Sequence, residues 1–201
     1  MEKKWLAGIC LLSFLIYFPS LFNFFSHDDF FHLKISQVNS VTDFLNFFNL
    51  FSAPSGFGFY RPLTTQVFYF IDLALFKLNP MPLHVISFVV FFANIFLVYK
   101  LTQVILKNNK TALISAFLYA TSATHFGQLY YLGAFQELGL AFFFFSSCLS
   151  FIWFLETKKI KHYFLAYPSP YFFWPRYRRR KQPPSLSLRH PVHTRQGKLF
   201  P

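Results

Sequence analysis

Acidic residues are scarce in this chain, with seven Asp and Glu among 201 residues against nineteen Lys and Arg. None of the seven lies after residue 156, where eleven of the basic residues fall. The formal charge of +12 therefore belongs to loop ends and a tail rather than to one face of a folded domain, which argues against a nucleic-acid partner. Cysteine is scarcer still. Cys10 and Cys148 both lie within apolar runs and have no His or Cys beside them at metal-ligand spacing, so neither a disulfide framework nor a zinc site is indicated. There are only seven glycines, and the sequence has no P-loop, GxGxxG, CxxC or GxSxG pattern. Nucleotide-fuelled transport and serine hydrolysis are thus without support. No A-x-A-like cleavage site follows the first apolar run, which reads as an uncleaved span rather than a signal peptide.

What the chain has in excess is apolar and aromatic surface. It is 54% hydrophobic, with 33 Phe, more than a soluble domain of this size can bury. The expectation is an all-α polytopic membrane protein of about four transmembrane helices: Trp5 to Phe25, Leu83 to Leu106, Thr111 to Thr124 and Leu138 to Leu155. Lysine clusters at residues 3–4, 107–110 and 158–161 should all be cytoplasmic, which four crossings from a cytoplasmic N-terminus allow. A fifth crossing would break that parity. Pro62 to Leu78 is therefore expected to lie on the outer membrane surface, with Leu63, Val67, Phe70, Ile71, Ala74 and Leu78 on its apolar face and Thr65, Tyr69 and Asp72 elsewhere. Asp43 to Phe51 is expected to be a second, shorter interfacial helix. Residues 1–165 form one membrane domain on this reading.

From residue 166 the composition changes abruptly, with seven of the twelve prolines in the last 34 residues and the run Arg176, Arg178, Arg179, Arg180, Lys181. Residues 166–201 are either a disordered polybasic tail suited to anionic lipid headgroups or the product of a shifted reading frame; the abruptness favours the second.

The chemistry-bearing stretch is FFSHDDFFHL, residues 24–33, just beyond the outer end of the first span. Two adjacent carboxylates among aromatic rings repel each other, and a bound cation or a shared proton relieves that repulsion. Asp28 and Asp29 are either a general base with its partner, assisted by His27 or His32 and a divalent ion, or a hydrated helix terminus capping the next turn. Arg61 suits a phosphate through paired donors, or else snorkels to lipid headgroups. His84, His125 and Glu137 fall at outer span ends, where each either meets a substrate or is an ordinary boundary residue.

Three stretches in order resemble the N-terminal third of GT-C superfamily polytopic glycosyltransferases, which include protein O-mannosyltransferase-like and aminoarabinose-transferase-like enzymes. They are FNFFSHDDFFHL, then GFGFYRPL leading into a surface helix that ends at Asn79-Pro80, then the segment TALISAFLYATSATHFGQLYYLGAFQELGLAFFFF. The resemblance implies transfer of a sugar from a polyprenyl-phosphate carrier to an acceptor on the outer face, usually with inversion. It implies Asp28 as the base, Asp29 as its orienting partner, and Arg61 near the leaving phosphate. Beside the resemblance, the residues themselves offer His84, His125 and Glu137 as candidate substrate contacts, and Asp28, Asp29 and His32 as candidate ligands of a divalent metal ion. Such enzymes usually have many more spans, so the chain is expected to be an N-terminal portion lacking the parts that bind the acceptor, and to have little activity alone. The competing class is a non-catalytic membrane subunit or a transporter fragment.

Overall fold

The computed structural model describes residues 2–49, 60–159 and 161. The expected tail, residues 166–201, and most of the GFGFY stretch lie outside them. The described residues are helical throughout, without strands. In chain order the helices are α1 (Glu2–Tyr17), α2 (Asp29–Ile35), α3 (Val41–Asn46), α4 (Val67–Leu75), α5 (Met81–Leu106), α6 (Asn109–Ala120), α7 (Thr124–Tyr130) and α8 (Phe135–Thr157). Pro19 tightens the end of α1 into the 3-10 turn Phe18–Phe22, and a π-helical turn, Pro62–Gln66, leads into α4.

Three segments are long and apolar enough to cross a membrane: Lys4–Phe22, Met81–Leu106 and Leu132–Thr157. They match the first, second and fourth expected spans. The expected span Thr111 to Thr124 does not form one long helix. Its helix, α6, has 12 residues, about 18 Å of rise against a hydrocarbon core of roughly 30 Å. The Thr121-Ser122-Ala123 break then separates it from α7.

Hydrogen bonds nevertheless carry α6 and α7 along α1. Tyr99 donates to Glu2 Oε2 at 3.0 Å and Asn109 donates to Glu2 Oε1 at one end; Tyr17 donates to the Ser122 carbonyl at 2.8 Å and Asn23 to the Tyr130 carbonyl at 3.0 Å towards the other. The broken pair thus traverses the same length of bundle as α1. It fits because Ala112, Ala116 and Ala120, spaced four apart, are wholly buried where α6 meets α5 and α1. Small side chains on one helical stripe let backbones approach closely. Asn108 starts α6 by accepting from the Lys110 and Thr111 amides. Lys107 and Lys158 end α5 and α8 in the left-handed region, at φ 50° and 54°.

A second apolar cluster, Phe25, Leu33, Phe68, Tyr69, Leu83, Leu132 and Phe135, gathers α2 and α4 against the starts of α5 and α8. The Phe68 and Phe135 rings stack at 3.8 Å. One face of α4 differs from the expected pattern in its consequence. Tyr69 and Asp72 are buried, with Thr65 in the preceding turn, while Ala74, Leu75 and Leu78 are exposed. The polar stripe turns into the bundle beside Phe68, and the apolar residues at the end of the segment turn outward.

Candidate active site

The acidic pair sits at the start of α2, and helix geometry separates two neighbours by about 100°. His27, at φ 47°, swings the chain into the helix. Asp29 then points inward and is completely buried. Its Oδ2 accepts from the Ser26 amide at 2.8 Å, and its Oδ1 accepts from the Tyr69 hydroxyl of α4. Burial, followed by the Asp29 charge, pushes the Tyr69 phenol far above its ordinary range, so it remains a donor. Asp29 is thus the joint between α2 and α4.

Asp28 occupies the N-cap position but makes no side-chain cap hydrogen bond. The capping alternative therefore does not describe Asp28, whose side chain is exposed. It opens onto a cleft of about 300 Å³, lined also by Phe31, His32, Ile35, Arg61, Thr65, Gln66 and Gln136. Arg61, at the entry to the π turn, donates through Nη1 to Gln136 Oε1 on the first turn of α8. That contact ties together residues 75 positions apart and fixes the cationic wall of the cleft.

His32 lines the cleft with its ring 5.3 Å from the Tyr69 ring. Burial lowers its pKa, opposed by the Asp29 and Asp28 charges and reinforced by Arg61, so the imidazole is neutral near pH 7. Tyr131 lies close to the pair: burial and then the charges of Asp28 and Asp29 push its phenol up to about 12. Its ring folds over Gly133, where an added Cβ would sit 2.6 Å from the Tyr131 ring. A larger residue there requires the far end of the Tyr131 ring to shift.

The remaining expected site residues lie elsewhere. His84 is buried, with Nδ1 3.0 Å from the Leu129 carbonyl and Nε2 3.2 Å from the Asn23 carbonyl, so the ring is wedged between two main-chain acceptors, to one of which a neutral imidazole donates. His125 is buried against Tyr119 and Phe91, and its Nδ1 lies 2.7 Å from Gln128 Oε1. Gln128 in turn donates to Glu137 at 3.0 Å. His125 and Glu137 are therefore joined to each other through Gln128, and neither borders the Asp28 cleft.

The expected metal set of Asp28, Asp29 and His32 is not assembled. Among the described residues no three His, Cys, Asp or Glu side chains form a group able to hold an ion. The physical reason is that both Asp29 oxygens are already engaged by Ser26 and Tyr69.

Tyr69, Gln136, Thr65 and Gln66 belong to the site but carried no functional expectation. For Thr65 and Tyr69 a signal existed: with Asp72 they repeat at i, i+4, i+7, a polar stripe inside an apolar segment. Asp72 is the stripe's uncompensated member. It is buried, neither carboxylate oxygen meets a hydrogen-bond partner of ordinary geometry, and burial pushes its pKa up to about 6, with the Leu78 backbone offsetting part of that.

An exposed carboxylate and a guanidinium facing one cleft can accept a proton at one wall and hold an anion at the other. Exposed Phe24, Phe30 and Phe31 flank the acidic pair in the sequence. No family model, no curated protein and no solved structure matches this chain.

Proposed function

We propose that the chain carries the catalytic base of an integral membrane glycosyltransferase that moves a sugar from a polyprenyl-phosphate carrier to an acceptor on the extracytoplasmic face. The observation that carries this reading is the convergence of Asp28 and Arg61 on one cleft, with Asp28 uncapped and exposed. The sugar–phosphate bond needs both: a base for the incoming hydroxyl and a cation for the departing phosphate. Asp28 takes the acceptor O–H proton as that oxygen bonds to the sugar's anomeric carbon. The bond from that carbon to the phosphate oxygen breaks, and its electron pair leaves on the phosphate, where Arg61 offsets the charge. Asp29 does not react; it holds α2 against Tyr69 so that Asp28 keeps its aim.

The accompanying topology has four crossings, the third made by α6 and α7 together. Under it the Glu2–Tyr99–Asn109 end is cytoplasmic, with Lys107, Lys110, Lys158 and Lys159, and the cleft lies at the outer surface. There a carrier whose isoprenoid tail stays in the bilayer presents its phosphate at interfacial depth. The α4 segment lies along that surface with its outward apolar residues towards lipid.

The test is release of polyprenyl phosphate from lipid-linked sugars by the chain in nanodiscs. Asp28→Asn should lower turnover by about 10²–10⁴, the usual contribution of a positioned base. Turnover unchanged by Asp28→Asn removes the proposed mechanism, and a chain that sustains its cellular role with Asp28→Asn is better described as a non-catalytic subunit.

A further inference from the structure

Ile35 and Gln66 form one side of the Asp28 cleft. Both side chains also border a second, more open groove of about 370 Å³ that runs towards α3. Its polar lining comes from Lys34, Gln37, Asn39, Asp43, Asn46 and Gln66, with Phe47 as an apolar wall. The volume lies within the range of sites that enclose small ligands, roughly 300–1,000 Å³.

The lining has a definite chemical character. Four of its six polar side chains are carboxamides, each presenting a donor and an acceptor side by side, which is the arrangement that pairs with neighbouring hydroxyls. Its one cation and one carboxylate cancel, so the groove asks for a neutral ligand. The Asp43 carboxylate is held in place, since its Oδ2 accepts from the Asn39 and Ser40 amides at 3.0 Å each, and this capping box fixes the start of α3. Peptide recognition has less to use here: the described residues contain no strand edge to extend, and an amphipathic helix needs a row of apolar anchors that Phe47 and Ile35 do not supply.

We propose that this groove binds the acceptor, a role the resemblance to the family placed outside this chain, and that the acceptor is a neutral carbohydrate, seated so that one hydroxyl reaches Asp28 past Ile35 and Gln66. The role as acceptor rests on the transferase reading above; the ligand class rests on the groove's own side chains. It places the donor phosphate at Arg61 and the acceptor in the neighbouring groove on the α3 side, across Ile35 and Gln66.

Binding and transfer are measured separately on the full chain in nanodiscs. A panel of neutral oligosaccharides is titrated without donor, alongside uncharged polar peptides of similar mass. Saturable binding of at least one oligosaccharide is expected. Because Gln37 and Asn46 are exposed and truncating them threatens no packing, Gln37→Ala combined with Asn46→Ala should weaken that binding about tenfold, as the loss of two hydrogen bonds implies. Asp28→Asn should lower transfer by about 10²–10⁴. Binding that survives the double substitution at full strength, no binding by any oligosaccharide, or a preference for the peptides each overturns the proposal. Oligosaccharide binding that obeys the double substitution in a chain without lipid-phosphate release upholds the groove's ligand class and refutes the transferase reading instead.

Discussion

Tyr69→Phe isolates the interaction on which the cleft's geometry depends. The substitution removes one hydroxyl and leaves the ring, so the packing of Tyr69 against Phe68 and the position of the His32 ring are preserved. What is lost is the donor to Asp29 Oδ1, between two side chains that are 1% and 0% exposed. Water does not replace it without opening the α2–α4 contact. A hydrogen bond to a charged group contributes about 1.5–3 kcal/mol, and the whole of that is expected here because the carboxylate stays buried with only the Ser26 amide. For a chain of this length each kcal/mol shifts the midpoint by about 2–4 °C, so Tyr69→Phe should unfold roughly 3–12 °C lower in detergent. Circular dichroism or loss of monodisperse elution follows the transition. Asp29→Asn and the double variant complete a cycle, with an expected coupling above about 1 kcal/mol. A midpoint within 1 °C of the natural chain, or additive single effects, would refute the claim that Asp29 is the joint of the site.

Asp72 and Gly139 supply two further expectations. The folded-state pKa of Asp72 is raised from 3.8 to about 6, so the folded chain binds a proton that the unfolded chain releases across that window; stability should fall as pH rises through it. Asp72→Asn should raise the midpoint at pH 7.5 and flatten its profile between about pH 4 and 6, and a profile unaltered by the substitution would show that Asp72 is not the group responsible. At Gly139 an added Cβ would stand 2.4 Å from the Thr64 methyl in the buried π turn, so Gly139→Ala should cost about 1–3 kcal/mol by overpacking. Thr64→Ser removes that methyl and should restore most of the loss; a well-tolerated Gly139→Ala would mean that the turn does not press on α8.

The helical class and three of the membrane-length helices are legible in sequence because each rests on a local property, a long apolar run bounded by lysines. The helix break within the segment from Thr111 to Thr124 is not legible in the sequence. Hydropathy reports how apolar a stretch is, whereas α6 stops at Ala120 and its traverse continues in α7, held by Tyr17 and Asn23 from a helix more than a hundred residues away. The acidic pair stands out in the sequence, but which member is buried and which faces the cleft does not. That depends on the phase of α2 and on Tyr69, forty residues on. The Arg61–Gln136 contact leaves no local trace at all, since neither residue is unusual in its own neighbourhood. His84 shows the converse: a histidine at a span end looks available until two carbonyls are found against its ring.

The division of the acidic pair has a consequence for how the two positions tolerate change. Asp29 sits in a socket cut to one length: a glutamate carries its oxygens past both Ser26 and Tyr69, and an asparagine turns an amide towards one of two donors. Its tolerance is set by shape, and any lesion there reaches every function of the protein at once, through abundance. Asp28 meets solvent, so a variant at that position folds, accumulates and fails only where the cleft is used. Under the proposed function, two letters side by side are read by different tests, one by the quality control that clears misfolded chains and the other by chemistry alone.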